Sequence, residues 1–236
     1  MYVKAVRKAQ KAMFPIFRFE NLNNGQFRVG VTGTGYFINP NGYMITVAHI
    51  FSGEDKISFK YCGELPESLI QPPLEIEEIA RDDYRDIFIG KISIKNKDYF
   101  RLNKKITRIG RSVCIAGYPL AQITENPQGG LELGGVRRYF QPSFVLDFIK
   151  NKFNDEKGIN RFHDGFLMRD VGLFGMSGGP ILDVKGKALG MMGSFVTRES
   201  VNALNKKIEV QNAVAIGSNV ISNFLREKKI KLSYFF

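Results

Sequence analysis

The feature that most constrains the fold is the regular recurrence of short apolar runs broken by turn signals. Phe27 to Asn39 runs through Gly30, Gly33 and Gly35, Asn39-Pro-Asn-Gly42 turns the chain, and Tyr43 to Val47 resumes as an apolar run that ends at Ala48-His49. Runs of this length separated by Gly, Pro and Asn read as strands and tight connections. Pro15 to Glu20, followed by a turn at Asn23-Asn24-Gly25, reads the same way, as do Lys56 to Tyr61, Leu74 to Ala80 and Ile87 to Ile94. The polar, charged segment from Lys95 to Lys105 reads as the connection between two halves. Beyond it Ser112 to Tyr118, Leu131 to Phe140 after Gly129-Gly130, Phe166 to Arg169 and Ala213 to Ile216 repeat the pattern.

Two segments break the period of two. Ser143, Phe144, Leu146, Phe148 and Ile149, within Pro142 to Phe153, have roughly helical spacing and suggest an insertion helix. Near the end, Ser218 or Asn219 can cap a helix whose Val220, Ile221, Phe224 and Leu225 line one face. Evenly spaced strands, little helix before the C-terminus and two comparable halves predict an all-β fold of paired barrels.

One stretch carries chemistry. Phe174 to Gly193 reads Phe-Gly-Met-Ser-Gly-Gly-Pro, an apolar strand, a turn at Lys185 to Lys187 and a second apolar strand. Ser177, flanked by Gly175, Gly178 and Gly179, lies on backbone that can adopt tight or positive-φ conformations, so its hydroxyl is presented where neighbouring N–H groups converge. That arrangement suits a nucleophile beside an oxyanion hole, and it equally suits a plain turn entering a hairpin. A serine needs help in either case. Its hydroxyl becomes a useful nucleophile at neutral pH only when an imidazole removes the proton and a carboxylate orients the imidazole. His49, at the end of an apolar run, supplies the first. Asp82, Asp83 and Asp86 compete for the second, and Asp86 directly precedes the apolar run Ile87 to Ile94.

Composition narrows the function classes. A net charge of +11 in 236 residues permits attraction to anionic partners. The basic residues are nevertheless spread through Lys4 to Lys11, Lys95 to Arg111 and Arg226 to Lys231 without zinc-ligand spacing or an aromatic RNA-binding signature, which argues against nucleic acid. Two cysteines, Cys62 and Cys114, make no disulfide framework, and Cys114 within Val113 to Ala116 reads as a buried structural thiol. Met1 to Met13 is a basic, weakly amphipathic segment without the apolar run of a signal peptide, and no stretch is long enough to span a bilayer, so the cytoplasm is the expected compartment. His163, in the polar stretch Arg161 to Asp164, reads as a loop residue.

Six segments in order carry a resemblance: Gly33-Thr-Gly35, Asn41 to His49, Asp86-Ile-Phe-Ile-Gly-Lys-Ile, Val113 to Pro119, Gly175-Met-Ser-Gly-Gly-Pro180 and Val214 to Asn219. Together they resemble the trypsin-like serine peptidases, closest to the bacterial HtrA-like branch. The resemblance implies a double six-stranded β-barrel of chymotrypsin type with a C-terminal helix. It implies one peptidase domain over residues 1–236, with an N-terminal barrel at 14–95, a C-terminal barrel at 106–217 and the helix at 218–230. It assigns His49 as general base, Asp86 as its orienting acid, Ser177 as nucleophile and the N–H groups of Gly175 and Ser177 as the oxyanion hole. Val171 falls near the base of the primary substrate pocket, with Gly193, Ser194 and Phe195 along its wall. No cofactor or metal is implied, and the substrate is a protein or peptide.

Three departures qualify the resemblance. Met176 stands before the serine, where the digestive branch carries an acid that pairs with a newly cut N-terminal amine. Folding alone, or an activating protein partner, is therefore expected to shape the oxyanion hole. No PDZ domain is expected after the terminal helix. Pro66 to Pro73 and Gln122 to Asp164 exceed what a minimal barrel pair needs, and such loops gate clefts or bind partners. A protease-derived binding module that does not cut is the competing function.

Overall fold

The computed structural model describes residues 1–21, 27–51, 57–61, 73–119, 124–125, 131–132, 136–154, 158–201 and 207–232. The expected turn at Asn23 to Gly25, Gly129-Gly130, Cys62 and most of the Pro66 to Pro73 loop lie outside the described residues, as does Gln122.

The first sheet follows from the alternating pattern. Strand β1 (Met13–Asn21) pairs antiparallel with β2 (Phe27–Phe37), with Met13 opposite Tyr36, and the register slips between Ile16 and Phe17. Next come β3 (Tyr43–Thr46), β4 (Ile57–Tyr61), β5 (Leu74–Glu75), β6 (Glu77–Asp82) and β7 (Ile87–Lys91), giving the order β5-β4-β1-β2-β3-β7-β6. The Asn39 to Gly42 signal is a turn as expected. Asn39 Oδ1 accepts from the N–H groups of Asn41 (2.9 Å) and Tyr43 (3.1 Å), and Gly42 takes φ +81°, which costs a glycine little.

The second sheet closes on itself. Its strands are β8 (Ser112–Gly117), β11 (Tyr139–Asn154), β12 (Asn160–Met168), β13 (Pro180–Leu182), β14 (Ala188–Val201) and β15 (Lys207–Gly217), in the cyclic order β11-β12-β15-β14-β13-β8. Between β8 and β11 a small pair forms from β9 (Thr124–Glu125) and β10 (Leu131–Glu132). Val113, Ile115, Val145, Phe166, Met176, Ile181 and Leu189 fill the closed barrel. A closed sheet has no open edge, so every strand finds two partners. The expected fold of two barrel-like β-sheets with a C-terminal helix holds, the first sheet having seven strands.

Three expectations need correction. Pro142 to Phe153 is the middle of β11, not a helix: Tyr139 to Phe144 pairs with β8 and Val145 to Asn154 with β12. Phe144, Leu146 and Phe148 were in fact spaced by two, and they stand on the outer face at 43–46% exposure while Val145 points into the barrel. Ladder bonding on both edges outweighs a weak local preference. A helix, α1 (Val3–Ala12), also precedes the first strand, where little helix was expected before the C-terminus. Ala5, Ala9 and Ala12 are fully buried, Lys8 Nζ sits 5.4 Å over the Phe100 ring, and Gly186 lies directly beneath Ala5. Finally, α2 (Ser218–Glu227) forms where expected and buries Val220, Ile221, Phe224 and Leu225, but the Ser218 hydroxyl does not cap it. That hydroxyl donates to the Asn103 carbonyl at 2.5 Å and ties the helix to the strap between the sheets.

Candidate active site

His49 sits in a short 3-10 turn, Ala48–Phe51, at the end of β3. Asp86 closes the β6–β7 turn opposite it. The Asp86 carboxylate holds the histidine twice: Oδ1 accepts the His49 backbone N–H at 2.8 Å, and Oδ2 meets Nδ1 of the ring at 2.7 Å. With Nδ1 turned to the carboxylate, Nε2 is the ring nitrogen that can accept a proton. Asp86 is 8% exposed and takes φ +58°, a left-handed conformation that a non-glycine residue holds only when its surroundings fix it, at a cost of roughly 1–3 kcal/mol. The competing aspartates face elsewhere. Asp82 accepts from the Arg85 N–H at 2.9 Å, and Asp83 pairs with Arg81 at 2.7 Å on the surface.

Ser177 belongs to the second barrel yet is anchored on the first. Its carbonyl accepts the Thr34 N–H at 2.8 Å, and the Gly178 N–H donates to Met192 at 2.7 Å. Gly33 marks the crossing point. A side chain there would lie 3.0 Å from both the Ser177 carbonyl oxygen and Ile50 Cδ1, so the serine turn and the turn that carries His49 meet over one glycine. Gly178, at φ +81°, is equally constrained, because a Cβ would overlap Thr46 Oγ1 and the Thr34 carbonyl.

The backbone ahead of the serine is set by Thr34 as well. Its hydroxyl donates to the Gly175 carbonyl at 2.7 Å and accepts the Tyr118 N–H at 3.0 Å. Gly175 takes φ +91°, and the Met176 N–H reaches back to the Leu173 carbonyl at 3.0 Å, as in a turn whose third residue is left-handed. Among the described residues, neither the Gly175 N–H nor the Ser177 N–H donates to a backbone carbonyl. Met176 fills the second barrel at 0% exposure. A residue that would have carried charge in the digestive branch is here part of the apolar core.

Of the segment that holds Val171, the next residue packs on β14: a Cβ on Gly172 would strike Met192 Cε. The β14 ladder slips between Met192 and Ser194, so that Gly193 is the irregular position, Ser194 is partly exposed and Phe195 is 42% exposed.

His163 corrects a further expectation. It is not a loop residue but a β12 side chain, 5% exposed, its ring stacked on Phe153 at 3.8 Å and Nε2 at 2.7 Å from Ser194 Oγ. Its Nδ1 is buried without a hydrogen-bond partner. Burial pushes the imidazole down to about 4, against attraction from Asp86. The unfolded chain binds this proton near pH 6.5 and the folded chain does not. The stability contributed is complete above pH 6.5 and falls with pH, by about 3 kcal/mol at pH 4. Urea unfolding at pH 7 and pH 5 should show the wild type losing about 2 kcal/mol more than His163→Gln between the two. Equal losses would remove His163 as the source.

Cys114 is buried and its thiol pushed up to about 11 by that burial, as expected of a structural cysteine. No helix among the described residues is long and apolar enough to cross a membrane.

The family model for the trypsin-like peptidase domain matches residues 33–191, and the chain belongs to that family. It is 26% identical over 184 residues to the mitochondrial serine protease HTRA2 of Drosophila erecta, and 27% identical over 162 residues to the uncharacterized protein y4bJ of Sinorhizobium fredii. These alignments cover 74% and 69% of this chain but only 37% and 22% of the relatives, so the chain spans little more than a third of one and about a fifth of the other. In structure it is similar to the Rv3671c protease of M. tuberculosis. The active form gives a TM-score of 0.65 at 19% identity over 94% of this chain and 82% of that one. The inactive form gives 0.60 at 18% identity over 96% and 92%. The trypsin-like, HtrA-like class read from the motifs holds.

Proposed function

We propose that the chain is a serine endopeptidase that cleaves peptide bonds through an acyl-enzyme on Ser177. The observation that carries this reading is the His49 Nδ1 to Asp86 Oδ2 contact of 2.7 Å at the crossing where the Ser177 turn is pinned to Thr34. His49 Nε2 removes the Ser177 proton as Oγ attacks the scissile carbonyl, and Asp86 stabilises the imidazolium that forms. The N–H groups of Gly175 and Ser177 receive the oxyanion, worth about 3–4 kcal/mol per donor in other enzymes. The imidazolium then protonates the departing amine, and water repeats the sequence on the acyl-enzyme with His49 as base.

The oxyanion hole forms in this proposal by folding alone. Met176 leaves no acid for an N-terminal ammonium, and burying that cation among apolar side chains would carry an uncompensated desolvation cost. An activating partner would then adjust access rather than build the hole. The deciding experiment is labelling with a fluorophosphonate probe on chain bearing an intact, non-cleavable N-terminal fusion. Labelling of Ser177 supports the proposal. A folded chain that never labels is the protease-derived binding module instead.

Val171, Gly193, Ser194 and Phe195 form the proposed substrate pocket within the single peptidase domain. With Val171 at its base and Met192 packed beside Gly172, a lysine or arginine side chain would enter as a buried unpaired charge. Small or medium aliphatic residues are therefore expected before the scissile bond. A peptide-library profile dominated by Arg or Lys would overturn this, with Asp170 as the counter-charge to examine next. The proposed compartment is the cytoplasm, on the basis of the buried free thiol and the absence of a disulfide pattern, and cell fractionation tests it.

A further inference from the structure

The buried cation beside the proposed catalytic acid has no role in the mechanism above. Arg161, on β12 of the second barrel, is 2% exposed, and its Nη1 donates to the Asp83 carbonyl at 2.7 Å and lies 3.3 Å from Asp86 Oδ1. The neighbouring contacts grip the same turn. The Phe162 N–H donates to the Tyr84 carbonyl at 2.7 Å, and the two rings lie parallel, 5.6 Å apart. Three positions of the β6–β7 turn, at residues 83, 84 and 86, are thus held by two successive residues of the other barrel.

Burying a guanidinium is costly unless its charge is met. Here the charge is spent on a carboxylate whose two oxygens do different work. Oδ1 accepts from the His49 N–H and from Arg161, which leaves Oδ2 for the imidazole. Without Arg161, the two contacts described for the carboxylate, on a residue at φ +58°, would both come from His49, the residue it has to orient. We propose that Arg161 is a positioning residue: it fixes the orientation of the Asp86 carboxylate, and through it the His49 ring, and so couples the β11–β12 hairpin to the catalytic acid. The inference rests on the peptidase reading for its effect on rate but not for its effect on the histidine.

The test compares Arg161→Met, Arg161→Gln and Arg161→Lys. Lysine keeps the positive charge facing Asp86 that Met and Gln remove, without the guanidinium's geometry. In turnover, kcat should fall about 10- to 100-fold for Met and Gln with KM changed less than about threefold, and Lys should recover part of the loss. The second readout needs no turnover. In a Ser177→Ala background, the far-downfield proton resonance of His49 Nδ1–H engaged with Asp86 should broaden or vanish in Met and Gln and persist in Lys. If Met proves unfolded, Lys against Gln decides. Equal rates and equal resonances for Lys and Gln, or a folded Met variant that keeps both, would overturn the proposal. If the wild type turns over no substrate, the peptidase reading fails and the resonance alone decides on Arg161.

Discussion

Ser177→Ala is expected to lower kcat by about a millionfold and leave the fold unchanged. The size follows because nucleophile and base act as a unit, and removing either leaves only binding and the oxyanion hole. The fold should survive because the contacts that anchor this turn use other groups: the Ser177 carbonyl with the Thr34 N–H, the Gly178 N–H with Met192, the Gly179 N–H with Met176 and the Gly175 carbonyl with the Thr34 hydroxyl. Active-site titration with a fluorophosphonate, alongside thermal unfolding of both proteins, checks the two halves together. A variant that folds normally yet retains more than about a thousandth of the wild-type rate would move the nucleophile away from Ser177.

How much of this was legible in the sequence depended on whether the contact is local. Ser177 announces itself through four glycine or proline neighbours, and His49 through its place at the end of an apolar run, because turn geometry is written in adjacent residues. Asp86 was harder. Asp82 and Asp83 are chemically identical, and it is the antiparallel pairing of β3 with β7, Thr46 opposite Phe88, that brings Asp86 to the histidine. Arg161 and His163 went unread for the opposite reason. Arg-Phe-His-Asp resembles a solvated loop until β12 is paired with β11 and β15, whereupon alternate residues turn inward and both become buried. α1 was legible only as a weakly amphipathic basic segment, because Ala5, Ala9 and Ala12 make a narrow stripe whose burial depends on what packs against it. In β11 the helical spacing was an accident of Ile149 falling next to Phe148, while Phe144, Leu146 and Phe148 already carried the period of a strand.

Asp86→Asn is expected to lower kcat by about ten thousandfold, the size of the corresponding change in another serine peptidase. The geometry around the carboxylate says why the amide cannot adapt. Two donors, the His49 N–H and Arg161 Nη1, converge on Oδ1, so the asparagine must place its carbonyl oxygen there. Its NH2 group then faces His49 Nδ1, which has to accept instead of donate, and the ring proton moves to Nε2. A ring protonated at Nε2 cannot take the Ser177 proton. Rotating the amide to rescue the ring would set NH2 against two donors, one of them a buried cation, which is worse. Asparagine tolerates the left-handed backbone at φ +58° better than most residues, but the substitution should still lower stability, because it removes the counter-charge of the buried Arg161. Measured beside Asp82→Asn and Asp83→Asn, whose carboxylates face Arg85 and Arg81, the loss should be confined to position 86. A comparable loss from either neighbour, with Asp86→Asn spared, would reassign the acid.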